Sequence, residues 1–178
     1  ASATVTAQSD LSINHTMDWV IVDYAETIDV PPDAWSDWDS VNQEFITAAD
    51  KYPGGETSLI KSVVTYPENL FSVIKWHDGS ALSMGDFVMA MIIGADRSKV
   101  DSDIYDESAN NLFDNIKGIR IVSENPLIIE TYTDSWYLDA EWNVYSWWLL
   151  INDSPMPWHT TALAAAVEAY GLAAFSFD

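Results

Sequence analysis

Residues 73–93 read Val-Ile-Lys-Trp-His-Asp-Gly-Ser-Ala-Leu-Ser-Met-Gly-Asp-Phe-Val-Met-Ala-Met-Ile-Ile, and this stretch constrains the fold more than any other. Apolar and polar positions alternate over residues 70–76 on a β-branched and aromatic background, which predicts a strand. His77, Asp78, Gly79 and Ser80 predict a turn, because Asp bonds its own backbone and Gly takes positive φ without steric cost. Ser83 stands three residues before Asp86, the spacing of an N-terminal capping box, and the carboxylate lies at the positive end of the helix that follows. Capping alone assigns Ser83 the larger energetic share and Asp86 a smaller one through the dipole. Phe87, Met91 and Gly94 share one helix face, with Val88 and Ile92 beside it, so the helix packs into a core.

The rest of the chain divides into short elements. Residues 1–12 are a small, polar lead-in with edge-strand character, and 18–23 form a short apolar strand. Residues 41–50 predict one helix. Residues 57–66 and 70–76 predict a hairpin about the turn at Tyr66, Pro67, Glu68 and Asn69. Residues 110–117 predict a helix stopped at Gly118. A second hairpin joins 119–123 to 127–133. An aromatic helix is expected from Leu138 to about Ile151, and an Ala-rich helix over 161–170 ends at Gly171. The fold class is α+β in a single domain, 1–178, with a small, mostly antiparallel sheet built from hairpins and flanked by helices.

Composition narrows the function. A net charge of −21 with seven Lys and Arg excludes a phosphate backbone or an anionic membrane as partner. The absence of cysteine excludes disulfides and thiolate metal sites. Residues 1–12 carry no leader pattern, so the chain reads as a mature or excised piece, and no segment reaches the ~18 apolar residues of a membrane span. Asp101, Asp103, Asp106 and Glu107 offer clustered oxygens of the kind calcium takes, but without EF-hand spacing they read as a solvated loop. His15, His77 and His159 lack a zinc-ligand spacing. No nucleophile-elbow motif is present, and carboxylate abundance alone identifies no glycosidase pair. We therefore expect no enzyme, no catalytic residue, no metal and no cofactor. Asn14, His15 and Thr16 form a glycosylation sequon that has meaning only in a eukaryotic secretory setting. Of the nine Trp, Trp35 and Trp38 are expected to be exposed among acids, and the cluster of Trp142, Tyr145, Trp147 and Trp148 to lie in the core.

The segment Lys75-Trp76-His77-Asp78-Gly79, followed after a short linker by Ser83 and by Asp86 opening a helix, resembles the signature region of the family 5 extracellular solute-binding proteins. These are the peptide-, nickel- and sugar-binding components of ABC importers. Weaker similarity runs from about Trp38 to Asp178 and includes Val63-Val64-Thr65-Tyr66-Pro67-Glu68-Asn69-Leu70-Phe71 ahead of the motif. The family's later Gly-Thr-Gly-Pro-aromatic motif is not in this sequence. The resemblance implies the accessory domain of a type 2 periplasmic-binding-protein-like receptor. It implies a bacterial lipoprotein that is extracellular or periplasmic at the cell surface, with a peptide or other small solute and an ABC permease as partners. Trp76, His77, Asp78, Gly79, Ser83 and Asp86 are then a structural signature, and no ligand-binding residue is identified. The alternative is a Trp-rich extracellular carbohydrate-binding or interaction module.

Overall fold

The structure, a computed structural model, describes residues 1–15, 17–147 and 156–174. The chain divides into two compact units. The first comprises Ala1–Asp37, Phe45–Glu68 and Phe113–Ser146; the second comprises Trp38–Glu44, Asn69–Leu112 and Trp147–Asp178. The class is α+β: among the described residues there are a seven-stranded, mostly antiparallel open sheet and four α-helices. No described helix is long and apolar enough to cross a membrane.

The strands are β1 (Ser2–Gln8), β2 (Val20–Ala25), β3 (Trp35–Asp39), β4 (Glu44–Thr47), β5 (Ile60–Thr65), β6 (Ile116–Glu124) and β7 (Leu127–Thr133). Their order across the sheet is β2-β1-β5-β7-β6-β3-β4. The β1–β2 pair is parallel, and β1–β5, β5–β7, β6–β7 and β3–β6 are antiparallel. The expected second hairpin is present: β6 and β7 pair through Glu124 and Leu127 with a two-residue connection at Asn125 and Pro126. The other expected hairpin is not formed, because β5 pairs with β1 and β7 instead. Nor is β1 an edge. Ala3, Val5 and Ala7 are fully buried at alternate positions, and the strand sits between β2 and β5. One core cluster gathers Val5, Ala7, Val20, Ile60 and Ala140; a second gathers Ile28, Val30, Ala34, Ala48 and Tyr132.

Two expected helices are replaced. Over residues 41–50, only α1 (Ala48–Lys51) is helical. Gln43 turns the chain at φ 56, and Thr47 ends β4 and caps α1 by accepting the Asp50 N–H. Over residues 110–117 there is a 3-10 turn at Leu112–Asp114, after which β6 begins. Gly118 does not cap a helix. It lies in β6 beside a register irregularity, where an added Cβ would come within 2.7 Å of Val30 Cγ1 and 3.0 Å of Ala34 Cβ. Glycine is there because the second core cluster approaches the strand backbone.

In the second unit, residues 70–76 form no strand. Asn69 C=O accepts the N–H groups of Ser72 and Val73, and Leu70 C=O accepts Ile74 N–H, closing α2 (Leu70–Val73). Leu70 is buried while Ser72, Val73 and Ile74 are exposed, so one position in four reaches the core rather than every second one. Only Lys75 makes a β-bridge, to Ala81. The expected capped helix is present as α3 (Met84–Asp96), with Phe87 and Met91 buried. The Ala-rich helix is α4 (Trp158–Ala169), starting a turn earlier than expected. Gly171, at φ 66, ends it: Gly171 N–H bonds Glu168 C=O and Leu172 N–H bonds Val167 C=O, a Schellman pattern. The aromatic helix expected from Leu138 is not formed through Trp147; a short 3-10 turn at Ala140–Asn143 is all that coils there. Its expected continuation over 148–151 lies outside the described residues.

Candidate functional site

Five of the six signature residues, Trp76, Asp78, Gly79, Ser83 and Asp86, make hydrogen bonds within the turn and the helix start, and four donors converge on Asp86. Trp76 N–H donates to Ser80 C=O (2.9 Å) and Gly79 N–H to Trp76 C=O (3.0 Å), with Gly79 at φ 89. Asp78 Oδ1 accepts Ser80 N–H (2.9 Å) and Ser80 Oγ–H (2.6 Å), and these bonds, the side-chain one foremost, hold the Asp78 carboxyl below its ordinary value. Asp86 closes a capping box with Ser83. Its Oδ2 accepts Ser83 N–H (2.7 Å) and Ser83 Oγ–H (3.1 Å); its Oδ1 accepts Trp76 Nε1–H (3.1 Å) and the backbone N–H of Trp158 (2.8 Å). The carboxylate is 6% exposed, so all four donors reach it with little competition from water. The Trp158 ring lies 3.0 Å from where a Cβ on Gly85 would stand, and His159 Nε2 is 3.4 Å from Asp78 Oδ2. The module thus holds the start of α4 on the start of α3. His77 is exposed, and nothing in the geometry joins it to Asp78 as a catalytic pair.

Sequence reasoning missed the Trp158 contact, since 72 residues separate donor from acceptor. It also misjudged Trp38. That side chain is 4% exposed, and its Nε1–H donates to Asp96 Oδ1 (2.8 Å), which makes it part of a core rather than a surface. Trp35 is half-buried and stacked on Phe45, with ring centroids 4.2 Å apart.

The acidic loop is not uniformly solvated. Asp106 is 1% exposed, forms an ion pair with Arg97 and accepts Ser108 N–H and Oγ–H. Asp101 accepts Ser40 Oγ–H (2.7 Å). Among the described residues, no group of three or more His, Cys, Asp or Glu is placed to hold an ion. His15 turns its Nε2 onto the Val20 carbonyl, far in sequence from His77 and His159. Thr16 of the sequon and Trp148 of the aromatic cluster lie outside the described residues.

The remaining aromatics divide. Trp147 is buried, but Trp142 is 70% exposed and Tyr137 50%, with Trp136 and Leu138 exposed beside them. Asn143 organises this segment: Oδ1 accepts Tyr137 N–H (2.9 Å), and Nδ2–H₂ donates to the carbonyls of Tyr137 (2.8 Å) and Asp139 (3.0 Å). Asn14 fastens its other side through Leu138 C=O (2.7 Å) and Ala140 N–H (2.9 Å). The Tyr137 and Trp142 rings, 6.4 Å apart, form an aromatic shelf on a fixed backbone. The sequence carried the aromatic signal but not the role of Asn143, whose partners are local only once the chain is bent.

No protein-family model and no curated protein matches the chain.

Electrostatically, the first unit also holds a cross-strand cluster on β5, β7 and β6. Glu130 contacts Lys61 Nζ (2.7 Å) and Arg120 Nη1 (3.8 Å) and accepts Tyr132 Oη–H (2.8 Å). Burial, reinforced by the bond to Glu130, pushes the Tyr132 hydroxyl well above its ordinary value. A shallow groove of about 310 Å³ is lined by Asp29, Val30, Gly54, Gly55, Glu56 and Thr57. The signature module can bind its own helices together, and the shelf can stack a ring or an apolar side chain.

Proposed function

We propose that this chain is part of the extracellular substrate-binding protein of a bacterial ABC importer, with peptides as the solute and the permease as the protein partner. In that reading it is the accessory domain of the receptor, and its role is binding without chemistry. The observation that carries the reading is the Trp76–Asp86 module: the residues of the resemblance meet in a turn, a capped helix and a buried carboxylate with four donors. This is the arrangement a scaffold signature requires, and it supports a structural role for Trp76, Asp78, Gly79, Ser83 and Asp86. Solute is captured by closure of two lobes in such receptors, so the chain supplies scaffold and the cleft requires both lobes.

The test is isothermal titration with a pool of neutral di- to pentapeptides, on the isolated chain and on the product of its complete reading frame. Saturable micromolar binding by the complete product, and none by the chain alone, is the expected result. Failure of the complete product to bind any peptide would refute the reading. The exposed Tyr137–Trp142 shelf favours the second reading, a Trp-rich extracellular module for carbohydrate or protein contact. Oligosaccharide binding abolished by Trp142→Ala would establish that reading instead.

A further inference from the structure

The open edge of the sheet at β2 is built to accept another strand. Ala3 N–H donates to Trp19 C=O (3.3 Å) with Ala3 opposite Val20, and Ser9 N–H donates to Ala25 C=O (2.9 Å). In a parallel ladder the bonding residues alternate. The odd-numbered positions from Trp19 to Ala25 therefore turn their backbone groups to β1, and Val20, Val22 and Tyr24 turn theirs outward. Val20 is already satisfied: its N–H reaches Met17 C=O (3.2 Å), and its carbonyl accepts from the His15 ring. Val22 and Tyr24 are left with two N–H and two C=O groups that no described residue bonds. Natural edges are blunted with charged side chains, Lys above all, with Pro or with a bulge; Val-Ile-Val-Asp-Tyr-Ala has no Lys, Pro or bulge, and its one charge is the acidic Asp23.

Two further features specify the occupant. The first is apolar. Tyr24 shares its face of β2 with Val20 and Val22, the face on which Ala140 and Val144 pack. The 3-10 turn carrying Trp142 lies against β2, so alternate side chains of an added strand would meet Tyr24 and the aromatic shelf. The second is charge. Asp10, Asp18, Asp23 and Glu26 are exposed around the strand. The unit's cations Lys51, Lys61, Lys117 and Arg120 each already face a carboxylate. A second copy of the chain would bring the same acids and another net charge of −21 to the edge, which disfavours self-pairing.

We propose that β2 docks an extended, cationic segment of another protein by strand addition, with backbone bonds to Val22 and Tyr24 and apolar side chains on the Tyr24–Trp142 face. This does not depend on the transport reading, because the edge, its free groups and its charge belong to this chain alone.

The probe is a capped peptide of about eight residues alternating Lys and Val, titrated calorimetrically into the protein at low salt. Saturable binding is expected. It should weaken at least tenfold when alternate peptide amides are N-methylated, and likewise when Lys is replaced by Glu. Val22→Pro removes an outward N–H that β1 does not use and should also weaken binding at least tenfold, with the circular dichroism of the fold unchanged. The N-methylated peptide makes the same test on the unaltered protein if Val22→Pro fails to fold. Absence of binding, or binding indifferent to N-methylation or to charge reversal, would overturn the proposal. Competition by di- or tripeptides at equal strength would make the edge a solute site and overturn it too. A concentration-dependent dimer lost in Val22→Pro would show the occupant to be a second copy.

Discussion

Replacing Asp86 by Asn deletes one oxygen from the carboxylate on which the signature module converges. The wild-type oxygens divide their work: Oδ2 takes Ser83 N–H and Oγ–H, and Oδ1 takes Trp76 Nε1–H and Trp158 N–H. A carboxamide keeps one acceptor oxygen and turns an NH₂ toward the other pair, so whichever way it sits, two donors face a donor. A net hydrogen bond to a charged group is worth about 1.5–3 kcal/mol. The Ser83 groups lie at a half-buried helix start and can recover part of that from water. The expected cost of Asp86→Asn is therefore about 2–3 kcal/mol, and of Asp86→Ala about 3–5 kcal/mol. Ser83→Ala removes one of the four donors and leaves the Ser83 N–H bond in place, for about 0.5–1 kcal/mol. The order is the reverse of what helix capping alone gives, because capping does not see the two Trp donors. Urea unfolding followed by tryptophan fluorescence and far-UV circular dichroism checks it, with the slope compared to show that only stability changed. An Asp86→Asn midpoint equal to wild type, or a Ser83→Ala loss larger than that of Asp86→Asn, would refute the convergence argument.

Gly118→Ala should destabilise by about 1–3 kcal/mol, since its Cβ must displace Val30 and Ala34 from a packed cluster; a thermal melt within experimental error of wild type would contradict the close approach. The raised Tyr132 hydroxyl makes a signed pH prediction. Above the ordinary tyrosine value of 10.0 the unfolded chain loses a proton that the folded chain keeps, so stability falls as pH rises through that value and is unaffected by this group below it. Tyr132→Phe should flatten the alkaline slope by up to about 1.4 kcal/mol per pH unit, measured by urea unfolding between pH 9 and 11.

Local chemistry was legible in the sequence where its partners are neighbours. Gly79, Ser83 with Asp86, and Gly171 each specify a turn or cap within a few residues, and the structure builds all three. The β6–β7 hairpin was legible for the same reason. What failed is long-range. Residues 70–76 alternate well enough for a strand, yet among the described residues no partner strand reaches them, and Leu70, the one fully buried position, suits one helical turn. Gly118 looked like a helix stop because the crowding by Val30 and Ala34 is invisible from its own neighbourhood. Trp38 looked exposed among its neighbouring acids, yet its indole N–H is taken by an acid outside that group, Asp96, 58 residues away. At the candidate site, the signature residues were found by pattern; Trp158 and Asn143, which fix the module and the shelf, act through contacts that no spacing encodes.

The place of β1 sets a timetable for the growing chain. Its antiparallel partner is β5, with Ala3 opposite Val64, and β5 in turn needs β7, with Ile60 opposite Thr133. Translation proceeds at about 5–20 residues per second, so the first strand waits about 3–12 seconds for a partner and a comparable time again before that partner is itself covered. Through this interval Ala3, Val5 and Ala7 belong to an unfinished sheet, with only the parallel β2 ribbon beside them. Assembly of the first unit must wait for its last strands, and whatever guards the nascent chain must do so longest at β1.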